Sequence, residues 1–136
     1  MATFRTGDGL DLYYEDHGQG EPVVLLGGIM MSTASWAQHV PVLSRFVRLI
    51  LLDLRDQGRS ARAEGPYELK AHVPDVVRLL DELELPSAHL VGLSYGGQVA
   101  QCFALQHADR LKTLVLANVN HYITNLRYFI INTFII

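Results

Sequence analysis

Ser94 stands between two glycines in Gly92-Leu93-Ser94-Tyr95-Gly96, and Gly97 follows. A serine hydroxyl attacks a carbonyl carbon when a sharp strand-to-helix turn lifts it clear of a sheet edge. The flanking sequence predicts that turn. Residues 89–91, His-Leu-Val, read as a short buried strand, and residues 98–105 read as a helix. The flanking positions need glycine because any side chain there would crowd so tight a bend. The same bend sets the backbone N–H of Tyr95 at the positive end of a helix, where an oxyanion would form. A G-x-S-x-G string also arises by chance in turns that carry no chemistry. The strand before it and the helix after it favour the catalytic alternative.

Two other segments should end strands on the same edge. Gly27-Gly28-Ile29-Met30-Met31 follows an apolar run, and its glycines let backbone pass close to a ligand. The N–H of Ile29 is the expected second oxyanion donor. Asp53-Leu54-Arg55-Asp56-Gln57-Gly58-Arg59-Ser60 follows another apolar run. Its carboxylates and arginines are expected to tie that loop together, with a catalytic role for Asp53 as the lesser alternative.

The elements that must hold these loops follow from periodicity. Residues 4–6 and 10–15 alternate in polarity around Gly7-Asp8-Gly9, which predicts an antiparallel hairpin. Residues 22–26, 47–52 and 111–117 are near-continuous apolar runs, expected for strands covered on both faces. Residues 35–44 read as a helix capped by Ser32 or Ser35. Residues 73–83 form a strong amphipathic helix that Pro86 prevents from continuing. The order β-β-β-α-β-α-β-α-β predicts an α/β fold: a mostly parallel sheet of about six strands with helices on both faces. Ligands of such sheets bind beyond the carboxyl ends of the strands.

Composition narrows the partners. The chain has 136 residues, 49% of them hydrophobic and 18% charged, enough for one domain with a real core. A net charge of −3 without a run of like charges gives no reason to expect nucleic acid or a membrane surface. The amino terminus lacks an apolar signal segment, and the single cysteine, Cys102, excludes an internal disulfide. Both fit a cytoplasmic, reducing setting. Cys102 reads as a small buried hydrophobe beside Val99 and Phe103. No cofactor and no metal are expected.

Three segments together resemble the amino-terminal part of the α/β-hydrolase-fold serine hydrolases, in particular the esterase, lactonase and enol-lactonase-like members. Leu25-Leu26-Gly27-Gly28-Ile29-Met30 is similar to that family's L-L-H-G-x oxyanion segment. Asp53 to Ser60 resembles D-x-R-G-x-G-x-S, and His89 to Gly97 resembles the H-L-V-G-x-S-x-G-G elbow. Gly27 replaces the usual His or Asn, and Asp56 replaces a Gly. The serine separates the chain from the dehalogenase and epoxide hydrolase branches, which carry aspartate there. The resemblance covers residues 3–120. It implies Ser94 as nucleophile, Ile29 and Tyr95 as oxyanion donors, and an ester or lactone as substrate, cleaved through an acyl-serine.

The resemblance also implies an acid and then a histidine after the serine. After Ser94 the only acidic residue is Asp109, at the amino end of a strand and therefore on the wrong edge. His107 closes the nucleophile helix. His121 follows the last strand on the correct edge and is either a substitute base or an ordinary loop histidine. Residues 121–136 form an apolar tail that departs from the family pattern, so a truncated or frameshifted product, or a fragment, is expected. Activity would then be impaired. An inactive fragment or a non-catalytic small-molecule binding module is the alternative, and self-association through the open sheet edge and the tail is expected with it.

Overall fold

The computed structural model describes residues 2–119. The strands are β1 (Ala2–Arg5), β2 (Asp11–His17), β3 (Pro22–Leu26), β4 (Arg48–Leu52), β5 (Ala88–Leu93) and β6 (Leu111–Ala117). The helices are α1 (Val40–Leu43), α2 (His72–Glu82) and α3 (Tyr95–Gln106). They alternate in the predicted order. One sheet runs β1-β2-β4-β3-β5-β6. The hairpin strands β1 and β2 pair antiparallel, β2 pairs antiparallel with β4, and the remaining four strands run parallel. Each parallel crossover therefore delivers its following loop to one edge.

The strand periodicity of two divides the core. Val24, Leu26, Ile50, Leu52 and Leu90 face α2 and α3, packing against Val73, Val76, Leu79, Leu80, Val99 and Phe103. Leu25, Leu49 and Leu51 face the other way, against Trp36 and Val40. Helical segments thus cover both faces, which is why these strands read as unbroken apolar runs. Cys102 is half-buried against the larger cluster, and burial pushes its thiol pKa up. That environment suits a hydrophobe rather than a nucleophile.

The helix predicted over 35–44 is not continuous. The chain makes a 3-10 turn at Thr33–Trp36, then the single turn of α1. Pro41 lies in the first positions of α1 and has no N–H to donate, and its ring would collide with a carbonyl one turn earlier. A helix entering from residue 35 cannot pass through it. Both serines named as caps lie at the 3-10 turn: the Ser32 N–H donates to Ser35 Oγ at 3.2 Å, and the Ser35 N–H to the Ser32 carbonyl at 2.9 Å. At the other end of the fold, α3 finishes where expected, with the His107 N–H donating to the Phe103 carbonyl at 2.7 Å.

Candidate active site

Ser94 occupies the junction between β5 and α3, at φ 51° and ψ −115°. For a residue with a Cβ this is a strained conformation, held only when its surroundings over-determine it. They do so here. The Ser94 N–H donates to the Ala117 carbonyl of β6 at 3.0 Å, while the Ser94 carbonyl accepts from Gly97 and Gln98 at 2.9 and 3.1 Å. The side chain between these anchors is exposed.

The glycines of the elbow are explained by close approach. A Cβ on Gly96 would strike the Leu26 carbonyl and lie 2.6 Å from the Gly27 oxygen. A Cβ on Gly92 would meet the Gly97 backbone, and one on Gly97 a methyl of Val119. Backbone cannot yield as a rotatable methyl can. Gly96→Ala is therefore expected to lower stability by about 1–3 kcal/mol, and Gly97→Ala by less, as read from urea midpoints.

The loop after β3 lies beside the elbow. A Cβ built on Gly28 would be 3.4 Å from that of Ser94. The Gly28–Met31 turn is closed by the Met31 N–H to Gly28 carbonyl bond at 3.1 Å. The Gln57 amide, with its nitrogen turned toward this loop, donates to the Gly28 and Met31 carbonyls at 3.0 and 2.7 Å. Neither the Ile29 N–H nor the Tyr95 N–H has an acceptor among the described residues. Tyr95 opens α3, where the first amides have no partner within the helix. Ile29 and Met30, which follow Gly28 in this loop, are largely exposed apolar side chains.

Asp53 is a brace. It is 1% exposed, and its two oxygens accept from the Thr33 N–H at 2.6 Å and the Arg59 N–H at 2.8 Å. It stitches the loop after β3 to the loop after β4, as the tying role expected of that segment requires. Asp56, which stands where the resemblance expects Gly, has φ 64°. Aspartate tolerates this region better than most residues. Its carboxylate also accepts from the Ala63 N–H at 2.9 Å and the Tyr67 hydroxyl at 2.5 Å, and the latter bond holds its pKa low. Met30, Asp56, Ser94 and Asn118 all have positive φ, one in each loop after β3, β4, β5 and β6. Strain of this kind gathers at functional edges.

Sequence reasoning passed over His72. It is the first residue of α2, fully buried, with Nε2 2.8 Å from the Tyr95 hydroxyl. The rings of Tyr67 and Tyr95 stand edge-on to it at 5.3 and 5.4 Å. Burial, helped by the Arg55 cation and opposed by the Asp56 carboxylate, pushes its pKa down to about 4 from 6.5. The unfolded chain therefore binds the proton first on acidification. Stability is expected to fall by up to about 3 kcal/mol between pH 6.5 and 4 on this account and to level off below. His72→Leu should remove that component from urea midpoints measured across this range. The signal available in the sequence was a histidine opening an amphipathic helix just after an aromatic loop, which is weak by itself.

An open cleft of about 360 Å³ lies between the hairpin turn and the loop at 63–67, lined by Asp8, Arg55, Glu64 and Tyr67 among others. Ser94 does not line it, and its buried cation is already bound by two carboxylates. Among the described residues no group of three His, Cys, Asp or Glu side chains gathers as a metal site, and no helix is long and apolar enough to cross a membrane. His121 and the 121–136 tail lie outside the described residues.

A serine on a strand-to-helix elbow, at the carboxyl edge of a mixed sheet whose first two strands form a hairpin, defines an α/β-hydrolase arrangement. The chain belongs to the α/β-hydrolase fold family, whose model it matches over residues 21–134. It is 40% identical over 118 residues to the RutD protein of Caulobacter sp. (strain K31), provisionally named a carbamate hydrolase, covering 83% of this chain and 43% of that relative. It is similar in structure to a hydrolase from Pseudomonas aeruginosa PA01, with a TM-score of 0.82 and 38% identity over 87% of this chain and 45% of that one. The enol-lactonase from Burkholderia xenovorans LB400 superposes with a TM-score of 0.80 at 30% identity, over 86% and 46% of the two chains. The chain spans less than half the length of the curated relatives it matches, corresponding to their amino-terminal part.

Proposed function

We propose that this chain carries the nucleophile and oxyanion half of a hydrolase site acting on carboxylic esters or lactones. The Ser94 Oγ attacks the carbonyl carbon and forms a tetrahedral intermediate. The N–H groups of Ile29 and Tyr95 receive its oxyanion, in an environment preorganised for negative charge. The C–O bond to the leaving alcohol then breaks, leaving an acyl-serine, and the hydroxyl proton passes to the departing oxygen. Water cleaves the acyl-serine in the reverse sense. The observation that carries this reading is the exposed Ser94 side chain, held in a strained conformation beside Gly28. The names of the relatives fit it, since a carbamate and an enol lactone are both carbonyl compounds with a heteroatom leaving group.

The described histidines are engaged elsewhere. His17 meets Glu15, His39 meets the Trp36 ring, His72 meets Tyr95, His89 meets Thr113, and His107 lies against Phe103 at the far end of α3. Within residues 2–119 no histidine reaches Ser94, and in this reading His121 or a water relays the Ser94 proton to the departing oxygen. A serine without a triad base works orders of magnitude below a complete one, although an oxyanion hole alone still accelerates reaction over water. The deciding experiment is labelling with a fluorophosphonate ester, followed by peptide mass spectrometry. A single adduct on Ser94, blocked by prior incubation with an ester substrate, is the expected result. An adduct elsewhere, or none after prolonged exposure, overturns the assignment.

A further inference from the structure

We propose that His72 is a positioning residue for the nucleophile elbow, holding Tyr95 through its hydroxyl and so fixing the backbone N–H that receives the oxyanion. This rests on the role proposed for Tyr95 and adds a residue to it from a different element. The bond of 2.8 Å joins the first residue of α2 to the first residue of α3. The imidazole is fully buried and packs edge-to-face with the rings of both Tyr67 and Tyr95, which restrains its rotation. Tyr67 is itself held by Asp56 of the same loop after β4, so the contact is tied to the carboxyl edge of the sheet.

The tautomer follows from satisfaction of the ring. Nδ1 is buried with no partner among the described residues. A buried N–H without an acceptor is the rarer defect, so the proton is assigned to Nε2 and is donated to the Tyr95 oxygen. The groups facing the ring are Tyr67, Tyr95, the Arg55 cation and the Asp56 carboxylate. Their combined effect keeps it neutral near pH 7, as a donor of this kind requires. Solvent does not compete for the bond, since His72 is fully buried.

The test compares His72→Leu, Tyr95→Phe, their double variant and His72→Gln, the last keeping a terminal donor. Turnover of p-nitrophenyl acetate is read as separate kcat and KM values. Each single loss is expected to lower kcat about tenfold with KM changed less than about twofold. The double variant should fall no further than either single, because both remove one bond. His72→Gln should return to within about threefold of the unaltered protein. Amide exchange supplies a readout independent of turnover. Gly97 and Gln98, which donate to the Ser94 carbonyl, should exchange about tenfold faster in the two single variants, while Leu51 and Leu90 stay protected. Multiplicative losses in the double variant, or faster exchange spread through the whole core, overturn the positioning role. Absence of Ser94-dependent turnover in the unaltered protein overturns the nucleophile assignment instead, and the exchange pattern then decides the anchor by itself.

Discussion

Replacing Ser94 with alanine is expected to abolish the acyl adduct and to lower p-nitrophenyl acetate turnover by about a hundredfold. The magnitude follows from the way catalytic groups act as a unit. In a serine hydrolase with its triad assembled, loss of the serine alone costs about a millionfold. Much of that factor exists only because a base activates the hydroxyl. No histidine among the described residues contacts Ser94, so for those residues alone the expected difference is between an unassisted serine and water reaching the two proposed oxyanion donors. A loss near a millionfold would show that an imidazole reaches Ser94 from outside residues 2–119 and would overturn the half-site reading. In that event His121→Ala tests whether His121 supplies that imidazole, since its rate should then fall close to that of Ser94→Ala. A loss below twofold would remove Ser94 from the chemistry altogether. Steady-state rates of the two variants with one activated ester separate these outcomes.

The sheet was legible because its signal is periodic and local. The runs at 22–26 and 47–52 are apolar on both strand faces, and the fold buries residues of β3 and β4 in two different clusters. The run at 111–117 forms its strand as expected but is not covered on both faces: β6 is the edge of the described sheet, with Lys112 and Thr113 exposed and none of its residues fully buried. The elbow was legible because three glycines at fixed offsets around a serine suit few backbone shapes besides a tight strand-to-helix bend. Each of those glycines meets backbone or a close side chain. What the sequence hid was long-range. The break at Pro41 is the exception, since a proline within a helical stretch ends it by a purely local rule. The Asp53 carboxylate resembles a catalytic acid in composition. Only the fold shows that backbone amides from residues 33 and 59 take both its oxygens. His72 and Tyr95 are 23 positions apart, and no local pattern joins them.

The strained loops have a common cause. Each parallel strand ends at the same edge, and each loop must turn sharply enough to begin the next crossover without covering its neighbour. Glycine would relieve the strain in each case. Serine at 94 and aspartate at 56 are retained in conformations that glycine adopts more readily. The Asp56 carboxylate offsets the strain with two hydrogen bonds, whereas the Ser94 hydroxyl makes none to the described residues. Strain that is offset by hydrogen bonds points to structure; strain beneath a hydroxyl with no partner among the described residues leaves that hydroxyl open to a substrate, as the proposed role of Ser94 needs.

The same edge rests on a partly buried ion network, and cutting it at Arg55 should produce a large loss of stability. The Arg55 guanidinium donates to both oxygens of Asp75 at 2.5 and 2.8 Å and to both oxygens of Asp8 at 2.6 and 2.9 Å. Asp75 lies in the first turn of α2 and is 1% exposed, while the Asp8 side chain is half-exposed. Arg55 draws the Asp8 pKa down to about 2, so the contribution of that pair is full above about pH 4 and is lost as pH falls through 2. Asp75 differs: burial raises its pKa even against the attraction of Arg55. Arg55→Met leaves that carboxylate buried without a counter-charge, at an expected cost of about 3–5 kcal/mol near pH 7. Acidification protonates the stranded carboxyl, so the gap between variant and parent should narrow as the pH falls. Arg55→Met combined with Asp75→Leu removes both charges and should regain most of the loss, because a buried pair replaced by apolar groups of similar size is often nearly neutral. Asp8→Asn should cost far less than Arg55→Met, since water already screens that carboxylate. Urea midpoints of the four proteins decide the matter. A single Arg55 variant within about 1 kcal/mol of the parent would mean that the network merely accompanies the fold. Recovery in the double variant, together with a continued kcat deficit, would place Arg55 in the support of α2, whose first residue is the histidine that holds Tyr95.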